Sequence, residues 1–177
     1  MNRFNLIALS FAVIQLAGCG GGTPSAQNPG NGAQLPKTLW ATAKIEGAKE
    51  ILAVKADAKE GDLVTLRGVI GGAEKPFVDG RAVAMLVDMS VPTCADNGES
   101  CPTPWDYCCV PKDEKAKAMA TIQVVDDAGN PLKVSLASGN QLKPHAVVTV
   151  QGKVGPRPDA NVLVINVTSI HVDAQKK

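Results

Sequence analysis

The chain has 177 residues, with 18 Lys and Arg against 17 Asp and Glu, a formal charge of +1. That balance excludes the basic excess that draws a protein onto a phosphate backbone. Aromatic residues are 3% of the chain and hydrophobic residues 45%, so aliphatic side chains must build the core, and the length admits one folded domain with appendages.

Residues 1–18 read as a signal peptide. Arg3 supplies the positive start, Leu6 to Leu16 is apolar apart from Ser10 and Gln15, and small residues precede Cys19. The run falls short of the ~20 apolar residues that a membrane span needs. Leu16-Ala17-Gly18-Cys19 resembles the lipobox of bacterial lipoproteins. The resemblance implies cleavage before Cys19, a diacylglyceryl thioether and an N-acyl chain on Cys19, and attachment to the membrane through lipid alone. One acyl chain binds a bilayer marginally, whereas two or more hold stably. Gly20 is not acidic, which by the same resemblance implies the periplasmic face of the outer membrane. Removing Arg3 from the 18 bases leaves 17 against 17 acids, so the mature chain is formally neutral.

From Gly20 to about Pro36 the composition is Gly, Pro, Ser, Asn and Gln, which buries nothing and cannot offset its ordering entropy. Residues 19–37 are therefore expected to be the lipidated cysteine and a flexible linker, and residues 38–174 a single domain. Within it, Glu46 to Lys59 predicts a short amphipathic helix. Leu63 to Ile70 alternates as a strand, and Gly71-Gly72 predicts a turn. Arg81 to Met89 is apolar on both faces, as in a covered strand. Residues 90–117 read as an irregular, cysteine-rich loop. Ala120 to Val125 and Leu132 to Leu136 predict a hairpin around Asp127-Ala128-Gly129-Asn130. Gly139 to His145 is a loop, and Ala146 to Val154 and Val162 to Val172 are the last two strands.

One pattern occurs twice. Val64-Thr65-Leu66-Arg67-Gly68-Val69-Ile70 and Val148-Thr149-Val150-Gln151-Gly152-Lys153-Val154 share V-T-x-x-G-x-apolar. A glycine inside a strand marks a bulge, a bend or a close backbone approach, the features that let a small sheet curl shut. The expected class is all-β, a small barrel of five to six strands with a short N-terminal helix and a long cysteine-rich loop. The helix followed by Gly61 to Ile70 and a second strand ending at Val87-Asp88 resembles the opening of an OB-fold, as in small periplasmic OB-fold proteins and nucleic-acid OB domains. Lys75 to Ala82 and Cys101-Pro102-Thr103-Pro104-Trp105-Asp106-Tyr107-Cys108-Cys109 are similar to segments of a group of uncharacterised bacterial lipoproteins, a resemblance that implies no activity.

Cys94, Cys101, Cys108 and Cys109 are the candidate site. An oxidising compartment favours disulfides. Neighbouring Cα atoms ~3.8 Å apart are too close for an unstrained bridge, so Cys94 would pair with one of Cys108 and Cys109, and Cys101 with the other. Closing a loop of this size contributes roughly 3 kcal/mol in the chain-entropy model. The alternative is a metal site of four thiolates, suited to zinc or copper(I) but lacking the usual C-x2–4-C knuckle. A thiol-redox role is a further reading.

Trp105 and Tyr107, with Phe77, are candidate contact residues for an envelope protein or a glycan, and Trp105 could instead cover the end of the barrel. No nucleophile, phosphate-loop or zinc-protease motif is present, His145 and His171 have no motif partner, and neither catalysis nor a resident cofactor is expected. An OB-fold nucleic-acid or oligosaccharide binder is the remaining alternative. Nucleic acid fits poorly, because the expected outward positions Thr65, Arg67, Thr121, Gln123, Thr149, Gln151 and Lys153 include no aromatic for base stacking. The leading expectation is a lipid-anchored binding module.

Overall fold

The computed structural model describes residues 34–103, 106–138 and 141–175. The signal peptide, Cys19, most of the linker and Trp105 lie outside the described residues. The elements are β1 (Lys49–Glu50), α1 (Ile51–Asp57), β2 (Leu63–Ile70), β3 (Val83–Val87), α2 (Lys112–Lys117), β4 (Met119–Gln123), β5 (Ala146–Val154) and β6 (Val164–Gln175), preceded by a single 3-10 turn at Lys37–Leu39.

Five strands close on themselves. β2 pairs with β3, β3 with β4, β4 with β6, β6 with β5, and β5 returns to β2, while two-residue β1 adds to the edge of β2. All barrel pairings are antiparallel except β4 with β6. The result is the small all-β, OB-like barrel that the strand pattern predicts. Leu66, Leu86, Ile122, Val150, Ile165 and Ile170 point inward as its aliphatic core.

The repeated pattern explains the closure. β2 and β5 run antiparallel in a register that pairs Val64 with Gly152 and Gly68 with Val148, so the two copies face each other. A Cβ on Gly152 would be driven into the backbone oxygen of Asn166, with Ile165 Cγ2 at 2.8 Å. A Cβ on Gly68 would lie 2.8 Å from Ile51 Cδ1 and 2.9 Å from the Val87 oxygen. Gly152 also marks a register shift between β5 and β6. Each glycine removes a side chain where two layers come within backbone distance.

Helix α1 packs across the barrel through Ile51 and Val54 and grips both stems of the cysteine loop. At its start, the Leu52 N–H donates to Asp88 Oδ2 (2.9 Å), just past β3, while Asp88 Oδ1 accepts from the Ser90 N–H and hydroxyl. One turn later, buried Lys55 donates from Nζ to the carbonyls of Ala116 (2.9 Å), Asn161 (2.7 Å) and Met119. Three acceptors satisfy the three ammonium protons. Burial and the neighbouring Arg157 push the Lys55 pKa down, and Asp159 opposes them. Arg157 donates to the carbonyls of Lys55, Ala58, Ala160 and Val162, tying the β5–β6 connection to the same helix.

The structure corrects several boundaries. The helix starts at Ile51 rather than Glu46, because Gly47 takes φ +76° and Lys49–Glu50 pairs with Leu66–Arg67 as a strand. Leu132 to Leu136 is not a strand. After one bridge between Val125 and Pro131 the chain turns so that Leu136 enters the core, and Asp126 holds the turn by accepting from the Ala128 and Asn130 N–H groups. β3 turns Ala84 and Leu86 to the core, while on its other face Val83 and Met85 are half-buried and only Val87 is fully buried. Helix α2 interrupts the stretch read as irregular. Pro111 precedes it, Asp113 and Glu114 sit in its first turn, and Lys115 and Lys117 in its last, in the sense that the helix dipole favours.

Gly152→Ala should destabilise the fold by about 1–3 kcal/mol, the range for an overpacked site, and by more than Gly68→Ala, whose Cβ meets the movable end of Ile51 and stands farther from its backbone neighbour, the Val87 oxygen, than a Gly152 Cβ does from the Asn166 oxygen. Denaturant melts that rank them in reverse would contradict the steric account of closure. Lys55→Met leaves three carbonyls without their donor and should cost at least about 1.5–3 kcal/mol, the worth of one bond to a charged group.

Candidate functional site

The cysteine loop leaves β3 at Asp88 and returns through α2 to β4. Its first part folds around Asp96, whose Oδ2 accepts from the Thr93 N–H and hydroxyl at 2.8 Å each. Backbone bonds from Asn97 to Thr93, Gly98 to Ala95 and Glu99 to Cys94 complete a compact turn, with Gly98 at φ +72°. The Cys94 N–H donates to the Asp106 carbonyl (2.9 Å), which ties the two halves of the loop together across the cysteines. The Val110 N–H then donates to the Tyr107 carbonyl (3.2 Å), so Cys108 and Cys109 occupy the two corner positions of one turn.

Tyr107 anchors this turn. Its ring is buried with Val87, Val91 and Ala118 and flanked by Val110 and Met119, a small cluster separate from the main core. The ring edge lies 3.1 Å from where a Cβ of Gly71 would stand, so Gly71 provides room for the tyrosine. Of this glycine pair, Gly72 takes a positive φ, +87°. Tyr107 is therefore not a surface contact residue, and this corrects the expectation placed on it: its buried partners Val87 and Val91 precede it by 20 and 16 residues and Ala118 follows it by 11, so they cover it only once β3 and β4 are paired. Its hydroxyl is buried with no hydrogen-bond partner among the described residues. Burial, and then Asp96 and Asp106, push its pKa up to about 12. Phe77 is half-buried, bridged to Ala84 and packed on the main core.

The four sulfurs converge. Cys94 Sγ lies 3.2 Å from Cys108 Sγ and 3.4 Å from Cys109 Sγ. Cys101 Sγ lies 3.8 Å from Cys108 Sγ and 4.0 Å from Cys109 Sγ, and the two neighbours are 3.8 Å apart. All four lie within 4.8 Å of one another, with Cys94 buried, Cys101 half-buried and the other two exposed. The expected pair of disulfides is not formed, and all four are free thiols. The turn presents Cys108 and Cys109 almost equally to Cys94, and almost equally to Cys101.

The crowding separates their titrations. Hydrogen bonds from the Cys108 thiol and from the Cys109 backbone N–H lower the pKa of Cys94 to about 7. Once a charge is held there, Cys101 and Cys109 keep their protons more firmly. Cys101 rises to about 11, chiefly through Cys94 and Cys108, and Cys109 also rises, through the same two partners.

Among the described residues, these cysteines are the one group of three or more His, Cys, Asp or Glu able to hold a metal. His171 lies on β6, with Nδ1 3.1 Å from the Ala41 carbonyl and Nε2 3.9 Å from Asp173 Oδ1. His145 instead stands just before β5, at φ +66°, and lines a cleft of about 420 Å³ with Gly71, Glu74, Asp106 and Tyr107. Thr149, expected to face outward, is buried, because its hydroxyl donates to Asp173 Oδ2 (2.9 Å), which also pairs with Arg67. No protein-family model, no curated protein and no solved structure matches the chain.

Tyr107 is the only tyrosine, so its ionisation can be followed by absorbance without interference. The folded protein should titrate near 12, and the unfolded chain near the ordinary value of about 10. The folded pKa is the higher, so the fold gains from the neutral phenol below pH ~10 and loses that contribution as pH rises toward the folded value. A folded midpoint near 10 would contradict the burial. Tyr107→Phe removes an unpaired buried hydroxyl and should stabilise the fold, by up to about 1 kcal/mol.

Proposed function

We propose that the protein is a lipid-anchored, non-catalytic binding module of the cell envelope, with the cysteine loop as its working end. The carrying observation is the convergence of four thiols on one external loop, braced at both stems by α1, while the two histidines stand in different surroundings. Support for the address comes from the first nineteen residues, where a short apolar run ends in Leu16-Ala17-Gly18-Cys19. Among the described residues no helix is long and apolar enough to cross a membrane. The lipid on Cys19 is the anchor, residues 20–37 are the tether, and an envelope protein or glycan is the macromolecular partner, met through Trp105 and the exposed part of Phe77.

Expression of the full chain and of Cys19→Ser, followed by fractionation and intact mass, tests the address. The natural chain should be found with the membranes, lacking residues 1–18 and carrying acyl chains. Cys19→Ser should carry no acyl chain and leave the membrane fraction or stay uncleaved. A natural chain recovered whole and unacylated from the cytosol would overturn the proposal.

A further inference from the structure

The geometry points to a thiolate site for a single thiophilic metal ion, zinc(II) or copper(I), held by Cys94, Cys101, Cys108 and Cys109. This deepens the reading of the loop as the binding end, by naming what it binds.

The argument rests on how the sulfurs are spaced. A disulfide framework requires each sulfur to choose one partner, approach it closely and leave the others behind. Here Cys94 stands 3.2 and 3.4 Å from the two neighbours, and Cys101 3.8 and 4.0 Å from the same two. Neither has chosen. A tetrahedral ion requires the opposite, four sulfurs roughly equidistant from one another. With metal–sulfur bonds of about 2.3 Å, the edge of such a tetrahedron is about 3.8 Å. Five of the six sulfur–sulfur edges span 3.2 to 4.0 Å, and the sixth is within 4.8 Å. The set is drawn in enough for one ion.

The missing C-x2–4-C knuckle has a substitute. A knuckle works by presenting two sulfurs from one tight turn. The Tyr107–Val110 turn does so from its two corner residues, leaving Cys108 and Cys109 sulfurs 3.8 Å apart. Tyr107, buried against Val87 and Ala118, fixes that turn to the barrel. The Asp96-centred turn fixes Cys94, whose backbone N–H is held by Asp106. The Cys109 N–H also donates to the Cys94 sulfur, the kind of outer bond that orients a thiolate ligand.

Four thiolates form a soft donor set, which selects zinc or copper(I) over the oxygen-seeking ions. Nearby carboxylates are engaged elsewhere, Asp96 by Thr93 and Asp106 by the Tyr107 N–H. Each coordinating thiol releases its proton to solvent as its metal–sulfur bond forms, and no oxidation or reduction takes place. Two of the four ligands are exposed residues and a third is half-buried, so the ion would sit near the surface.

The test uses the full-length mature protein, purified from membranes in detergent without chelator or reductant. Metal analysis should find about one zinc or copper per chain, and alkylation after acid unfolding should find the four loop thiols free. Reduced, metal-free protein titrated with cobalt(II) should develop thiolate-to-cobalt charge-transfer absorbance that saturates at one equivalent. Displacement by zinc identifies a zinc site, and displacement by copper(I) but not zinc identifies a copper site. Cys101→Ser and Cys109→Ser should each lose the stoichiometric ion and most of that absorbance. Their far-ultraviolet circular dichroism should stay that of a folded barrel, since no cysteine belongs to its main core. Protein lacking four hydrogens, with no metal and no alkylatable loop thiol, would overturn the inference in favour of two disulfides. Failure to take up cobalt after reduction would overturn it as well. Metal-free protein that still fractionates with the membranes refutes the site alone, whereas metal-loaded protein in the cytosol refutes the address alone.

Discussion

The structure depends on a steric constraint at two glycines. Gly68 and Gly152 stand where β2 and β5 cross closest to their neighbours, and each would force a Cβ into an adjacent backbone or core side chain. Because both are bare, β2 can pair with β5 along Leu63 to Val69 and with β3 at Val69 and Ile70, serving two sides of the barrel at once. Closure follows, and with it the placement of everything attached to the rim.

Closure sets Val87 opposite Met119, so the two stems of a loop of some thirty residues are held side by side. A loop of that length with few apolar residues has a large ordering entropy to overcome. α1 supplies part of the restraint at both stems, through Asp88 at one and Lys55 at the other. The Tyr107 cluster supplies more in the middle, packing the loop onto the rim of the barrel. What remains unneutralised is the chemistry of the four thiols, crowded so that one loses its proton easily and others cling to theirs. Such a cluster is open to oxidation or to a bound ion, the occupant proposed for it.

Much of the barrel was legible in the sequence, because half-buried strands carry their own period. β2 and β5 run over the residues that alternation and the repeated V-T-x-x-G assign to them. What alternation could not reveal was decided by distant partners. Leu132 to Leu136 alternates like a strand, yet Leu136 is drawn into the core and the segment turns. Lys49 and Glu50 carry helix-forming side chains, yet their backbone pairs with β2. The acid-then-base order of α2 after Pro111 was a readable helix signal in a stretch that the cysteines made look irregular.

The site was half legible. Four cysteines in one loop announce that the loop matters, but not whether their sulfurs pair or gather, since that depends on a turn and on ties such as Cys94 to Asp106. Tyr107 between polar neighbours looks exposed in sequence and is among the most buried side chains in the fold. The most direct test is X-ray absorption at the metal edge of protein isolated as it occurs in the membrane. The account predicts one ion per chain surrounded by sulfur alone, at about 2.3 Å for zinc. Oxygen or nitrogen in the first coordination sphere, or no metal with both disulfides formed, would contradict it.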